Sequence, residues 1–193
     1  MTDEQIATVA DAVKTILTAV GEDADRPGLQ ETPRRVAKAY NEMFSSLTEP
    51  TFTDYKLFHE TDNADMVVVG QIPFYSMCEH HLLPFFGRIS VAYVPTDGTI
   101  IGLSKIPRLI DFVTHRPTVQ ENVTNAIATE LTRILNPAGV AVSVAARHMC
   151  MEMRGINKTG SVTQTAKYLG AFASDQALKQ EFLMRAEHGN LNL

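Results

Sequence analysis

Residues 77 to 87 read Met77-Cys78-Glu79-His80-His81-Leu82-Leu83-Pro84-Phe85-Phe86-Gly87, and the rest of the chain is organised around them. Met66-Val67-Val68-Val69 opens a β-rich segment that runs up to this stretch, so the motif sits at a strand's end. Cys78 and His81 stand three apart, a spacing that lets a thiolate and an imidazole converge on one ion when the backbone turns between them. The chain has only one other cysteine, Cys150, in His148-Met149-Cys150. Three ligands, Cys78, His81 and Cys150, leave one tetrahedral position open, where water can bind and be acidified toward a pKa of ~7. His80 and His148 stand beside the ligands as candidates for moving protons. Free cysteines are more often small buried hydrophobes. Here both adjoin histidines, which favours the metal reading.

Outward from the motif, Ile89, Val91 and Tyr93 alternate on one face of a strand that Pro95-Thr96-Asp97-Gly98 turns. Strand parity over residues 140 to 154 places Val140, Val142, Val144, Ala146, His148, Cys150, Glu152 and Arg154 on one face, predicting a single strand that becomes chemical at its end. Residues 162 to 169 predict a last strand. Between the strands, Ser104 is placed to cap a helix burying Ile106, Leu109, Ile110 and Val113. Lys105 and Arg108 lie in its first turn, where the helix dipole disfavours cations and a bound anion would relieve the conflict. Thr118 and Glu121 have capping-box spacing for a helix carrying Val123, Ile127, Leu131 and Leu135. Upstream, residues 2 to 20 predict a helix capped by Thr2 and Gln5, and Thr32-Pro33 begins a second helix bearing Arg35 and Lys38. Residues 51 to 64 are polar and irregular. Ser174 to Glu187 predicts a final helix. Helices first, then strands interrupted by a helix pair, is an α+β order and not βαβ alternation.

A length of 193 residues suits one core with a helical appendage, divided here as 1–50, an N-terminal helical extension, and 51–193, the domain holding the metal site. Hydrophobic residues at 45% and charged residues at 20% are ordinary for a globular protein, and no window approaches the ~18 apolar residues of a membrane span. An acidic start, Met1-Thr2-Asp3-Glu4, argues against an export signal, and two cysteines then suit a reducing cytoplasm. A formal charge of −5 argues against general nucleic-acid binding, so any anion site must be built locally.

Cys78-Glu79-His80-His81, then Ile101-Gly102-Leu103-Ser104-Lys105 with Arg108, Arg116-Pro117 followed by Val119-Gln120-Glu121, and His148-Met149-Cys150 with Arg154-Gly155 together closely resemble the GTP cyclohydrolase I family. The resemblance implies a zinc enzyme of the tunnelling fold (T-fold), an antiparallel sheet with an inserted helix pair and an N-terminal helical extension. It also implies a homodecamer with active sites between subunits, converting GTP and water to 7,8-dihydroneopterin triphosphate and formate for folate and pterin synthesis. By position, Cys78, His81 and Cys150 match the zinc ligands, and His80 and His148 the catalytic histidines. Ser104 matches the serine near the ribose, and Glu121 the guanine-binding carboxylate with Gln120 beside it. Lys105, Arg108, Arg154, Arg35 and Lys38 match the triphosphate cations. The chain departs from the family pattern at Ala145, where an acid is common, and at Ala166, where a hydroxyl is. Those departures leave an alternative, a non-catalytic or specialised paralogue that holds zinc and a purine nucleotide or pterin.

Overall fold

The computed structural model describes residues 1–61 and 64–187, and the chain divides into two compact units, Met1–Thr48 and Glu49–Leu193. In the first unit, α1 (Asp3–Ala19) begins as the sequence predicts. The Thr2 hydroxyl accepts from the Gln5 amide, and Gln5 Oε1 accepts from the Thr2 amide. The second helix, α2 (Thr32–Met43), already includes Thr32, the residue expected to cap it. Glu31 occupies the cap position without a side-chain hydrogen bond, and Pro33 sits in the first turn, where its missing N–H costs nothing.

The second unit is built on a five-stranded sheet. Its strands are β1 (Leu57–His59), β2 (Val67–Cys78), β3 (Pro84–Val94), β4 (Thr99–Ile101), β5 (Pro117–Thr118), β6 (Gly139–His148) and β7 (Thr163–Gly170). Five of them run in the order β5-β2-β3-β6-β7, antiparallel except for the short parallel β2–β5 pair, and β1 pairs with β4 apart. Strand parity then sorts the side chains. Ile72 and Phe74 of β2, Ile89, Val91 and Tyr93 of β3, and Val140, Val142 and Val144 of β6 form one core cluster with two helices, α3 (Lys105–Thr114) and α4 (Gln120–Leu135). Those helices contribute Ile106, Leu109, Ile110, Val123, Ile127 and Leu131, all fully buried, each side chain stabilising by roughly 1.5–3 kcal/mol. The intervening positions Ala92 and Ala141 face the other way and pack with Phe172 of α6 (Ala171–Ser174) and Phe182 and Ala186 of α7 (Gln176–Glu187), α5 being the short turn described below.

Three expectations are corrected here. The strand predicted through residue 154 stops at His148, because Met149–Glu152 forms one helical turn, α5. Glu152 leaves the expected face and is buried in a paired contact with Arg147, at 2.8 and 2.5 Å. The capping box of Thr118 and Glu121 does not form, since the cap of α4 is Val119 and the Thr118 hydroxyl donates to the Val119 carbonyl. Ser104 does precede α3, with αR backbone and no side-chain cap.

Register depends on one close approach. Gly87 pairs with Ala146, and a Cβ at Gly87 would lie 1.9 Å from the Ala145 carbonyl oxygen. Backbone cannot yield as a flexible side chain does, so crowding here costs about 1–3 kcal/mol or more. Gly87→Ala is expected to lower Tm by roughly 5 °C or more. A thermal melt identical to that of the unsubstituted protein would contradict the register.

Candidate metal centre and active site

The turn after β2 is closed by its own backbone. The Cys78 amide donates to the Leu83 carbonyl at 2.9 Å, and the Leu82 amide returns to the Cys78 carbonyl at 2.8 Å. Leu82 takes a left-handed conformation, φ 51°, to complete the reversal. This brings His81 Nδ1 to 3.9 Å from Cys78 Sγ. The helical turn α5 does the corresponding work on the other side, lifting Cys150 off the strand direction and onto Cys78. The ligand atoms of Cys78, His81 and Cys150 all lie within 4.8 Å of one another, a group that can hold a metal ion. Ligands at about 2.0–2.3 Å from a shared tetrahedral ion stand under ~4 Å apart, so the set fits with small movements. Burial first, then the neighbouring Cys78 thiol, holds the Cys150 thiol above its ordinary range, and a cation between the sulfurs reverses that balance.

His148 ends β6 on the same face. Its ring lies parallel to Phe85, with centroids 4.9 Å apart, because the two residues pair across β3 and β6. Its Nε2 is 2.8 Å from Gln120 Oε1. Gln120 is 1% exposed and its amide nitrogen points to the Val144 carbonyl at 3.2 Å, the Thr163 carbonyl at 3.0 Å and Thr165 Oγ1 at 3.1 Å. Carbonyl oxygens only accept, which fixes the amide orientation and makes Oε1 the acceptor toward His148. Nε2 therefore carries the ring proton and Nδ1 the lone pair. Burial holds His148 below its ordinary value, against the opposing pull of the Glu121 carboxylate, so the ring is neutral near pH 7.

Glu121 is exposed in the first turn of α4, and with the capping box absent its carboxylate makes no hydrogen bond among the described residues. Arg154 is also at this end, its Nη1 3.2 Å from His81 Nε2. His80 stands exposed on the turn, 3.9 Å from Glu79 and beside His81. The remaining candidates lie elsewhere. Ser104, Lys105 and Arg108 stand at the start of α3, which follows β4; Ile101 of β4 bonds the hydroxyl of Tyr93, opposite the first residue of β2. The far end of α3 meets β2 near Cys78, where Ser76 Oγ donates to the Thr114 carbonyl at 2.7 Å. Along the helix axis the Lys105 and Arg108 backbones thus lie about 14 and 9 Å from the Thr114 end that meets β2 near Cys78. Arg35 and Lys38 are exposed on α2, in the other unit.

Sequence reading missed four contributors. Phe85 was visible as an apolar strand residue with no sign that it would stack on a histidine. Thr165 and Thr124, whose hydroxyls meet at 2.6 Å beside Gln120, belong to separate elements that only the fold joins. Asp54, which binds both Lys105 and Arg108, lay in the polar stretch that carries no periodic signal.

A five-stranded sheet, antiparallel but for its short β5 edge, with a helix pair inserted between its strands and a Cys-His-Cys group at the strand ends, defines a tunnelling-fold protein of the α+β class. Among the described residues no helix is long and apolar enough to cross a membrane. The chain belongs to the GTP cyclohydrolase I family, whose model matches residues 9–187. It is 59% identical to a GTP cyclohydrolase 1 of Lactiplantibacillus plantarum over 93% of this chain and 95% of that one. It is 52% identical to a GTP cyclohydrolase 1 of Enterococcus faecalis over 95% and 98%. A bifunctional protein FolKE of Lactococcus lactis is 56% identical over 91% of this chain, which spans 51% of that protein.

Gln120→Leu keeps the side-chain size and removes both halves of the amide. Turnover is expected to fall roughly 10- to 100-fold, as for other groups that orient a site residue, with metal content kept. Unchanged turnover in a folded, metal-loaded variant would show that the bond to His148 does nothing for the reaction.

Proposed function

We propose that the chain hydrolyses GTP to 7,8-dihydroneopterin triphosphate and formate, with zinc as its metal. The observation that carries this reading is the convergence of Cys78, His81 and Cys150 within 4.8 Å beside an oriented, neutral His148, in a chain that matches the family over residues 9–187. Two thiolates and an imidazole suit zinc, and three protein ligands leave a fourth position for chemistry. When bound, the ion supplies the Lewis acidity that makes a water nucleophilic near neutral pH.

The chain's own residues do the rest. Glu121 accepts from N1–H and the exocyclic amine of guanine, adjacent donors that a carboxylate takes together and that adenine lacks. His148, its Nε2–H held by Gln120, takes up a proton at Nδ1 and delivers it to the purine's five-membered ring as that ring opens. Phe85 stacked on the imidazole keeps the ring plane fixed. His80 is assigned a second proton-transfer step, Ser104 a place near the ribose, and Arg154 a phosphate once it leaves His81. Lys105, Arg108, Arg35 and Lys38 bind the triphosphate.

A nucleotide whose base lies by Cys78 meets Lys105 and Arg108 most readily from a second copy, since within one chain α3 holds them apart. The sheet also offers open edges. Among the described residues β7 has no outer partner, and β2 is paired on its outer side only at Met77 and Cys78. Unpaired edges favour strand addition between copies. We therefore infer a homo-oligomer, a decamer with sites between subunits, in which residues 1–50 are a helical extension and 51–193 the catalytic domain. The free cysteines suit a cytoplasmic location.

The purified protein incubated with GTP is expected to release formate and a pterin that fluoresces on oxidation, and ATP is expected to react at least ~10⁴-fold more slowly. Glu121→Gln should lose GTP turnover. Bound but unchanged GTP would favour the non-catalytic paralogue. Cys150→Ser is expected to lose the metal while keeping its far-UV circular dichroism; a full zinc complement would remove Cys150 from the ligand set.

A further inference from the structure

The first turn of α3 contains two cations and no acid of its own. Its counter-charge comes from outside the helix. Asp54 Oδ1 accepts from Lys105 Nζ, and Oδ2 accepts from Arg108 Nη1 at 2.5 Å. The two cations hold the Asp54 carboxyl below the usual carboxylate range, Lys105 contributing first, so it is an anion at neutral pH. The segment that carries Asp54 is fixed on both sides. Phe52 is buried against Phe112 of α3, with ring centroids 5.6 Å apart, and the Lys56 carbonyl accepts from the Gly102 amide at 3.0 Å. Between these two anchors the carboxylate is held over the helix start, half exposed.

We propose that Asp54 is a built-in competitor for the triphosphate site, one carboxylate occupying both cations and displaced only by a multiply charged phosphate chain. The proposal rests on the reading of Lys105 and Arg108 as triphosphate ligands. A single negative charge bridging two donors satisfies both, so a weak or singly charged anion gains little by replacing it. A triphosphate brings several charges and more oxygens, and so wins the same donors despite the competition. Asp54 thus sets a charge threshold. It costs affinity for GTP and keeps small anions from filling the site.

The test is Asp54→Asn, which keeps the side-chain shape and removes the charge. The KM for GTP is expected to fall about fivefold at low salt with little change in kcat, because an exposed charged contact of this kind is worth roughly that factor. Inhibition by inorganic triphosphate and by orthophosphate should both strengthen, since each must displace the same carboxylate. A KM that rises, or stays the same, would overturn the proposal and make Asp54 a residue that merely positions the cations. If Asp54→Asn is poorly folded by circular dichroism, Asp54→Ser removes the same charge from a smaller side chain and carries the same expectations. Calorimetric titration of inorganic triphosphate into the full chain and into Lys105→Gln and Arg108→Gln separates the two readings. Normal binding by both cation variants would sink the clamp itself, whereas weakened binding there with an unresponsive Asp54→Asn would sink only the role of Asp54.

Discussion

The pairing of β3 with β6 is the constraint on which the site depends. It sets Phe85 across from His148 and Gly87 across from Ala146. From that register follow the stacked imidazole, the approach of Gln120 from α4, and the position from which α5 turns Cys150 toward Cys78. A slip of one residue would send His148 to the opposite face, away from Gln120, and would expose the valines of β6. The chemistry at the end of the sheet is thus held in place by the apolar alternation along its length.

Polar order at the site is built from groups that are fully engaged. Gln120 is buried and uses both ends of its amide, so the cost of desolvating it is met by hydrogen bonds and the surplus is a fixed ring tautomer at His148. Thr124 adds to this by donating to the Gln120 carbonyl at 2.9 Å and meeting Thr165. Glu121, one residue along, is exposed and has no such engagement among the described residues. Adjacent residues on one helix turn therefore divide the labour, Gln120 anchoring the His148 ring and Glu121 open to a ligand.

Much of this was legible in the sequence because it was periodic or local. Alternation in residues 88–94 and 140–148, the helical stripes of α3 and α4, the capping box at Thr2 and the Cys78–His81 spacing all read directly into structure. Reading failed where tertiary contacts overrode a local pattern. Parity carried the last long strand to Arg154, yet the chain turns helical at Met149, leaving Glu152 to pair with Arg147 instead of joining the site. The Thr118–Glu121 spacing was that of a cap, but Thr118 is held in β5 beside Cys78, so Val119 takes the cap position and the helix starts at Gln120. Asp54 had no local signature at all, because its meaning lies in a helix fifty residues away. Ala145, a departure from the family pattern, pairs across from Arg88, whose Nη1 donates to the Gln71 carbonyl at 3.0 Å, so the cation keeps a partner without an acid there.

The proposed oligomer requires that one chain hold the metal and guanine-binding half of a site and the phosphate-binding half of another. The most direct measurement is complementation between Cys150→Ser and Lys105→Gln, each assayed alone and after coexpression in one cell. Mixed assemblies are predicted to recover GTP turnover well above the sum of the two variants, because some interfaces then join an intact metal group to an intact clamp. Activity equal to that sum, in assemblies shown to contain both chains, would place the whole site within a single chain and contradict the account.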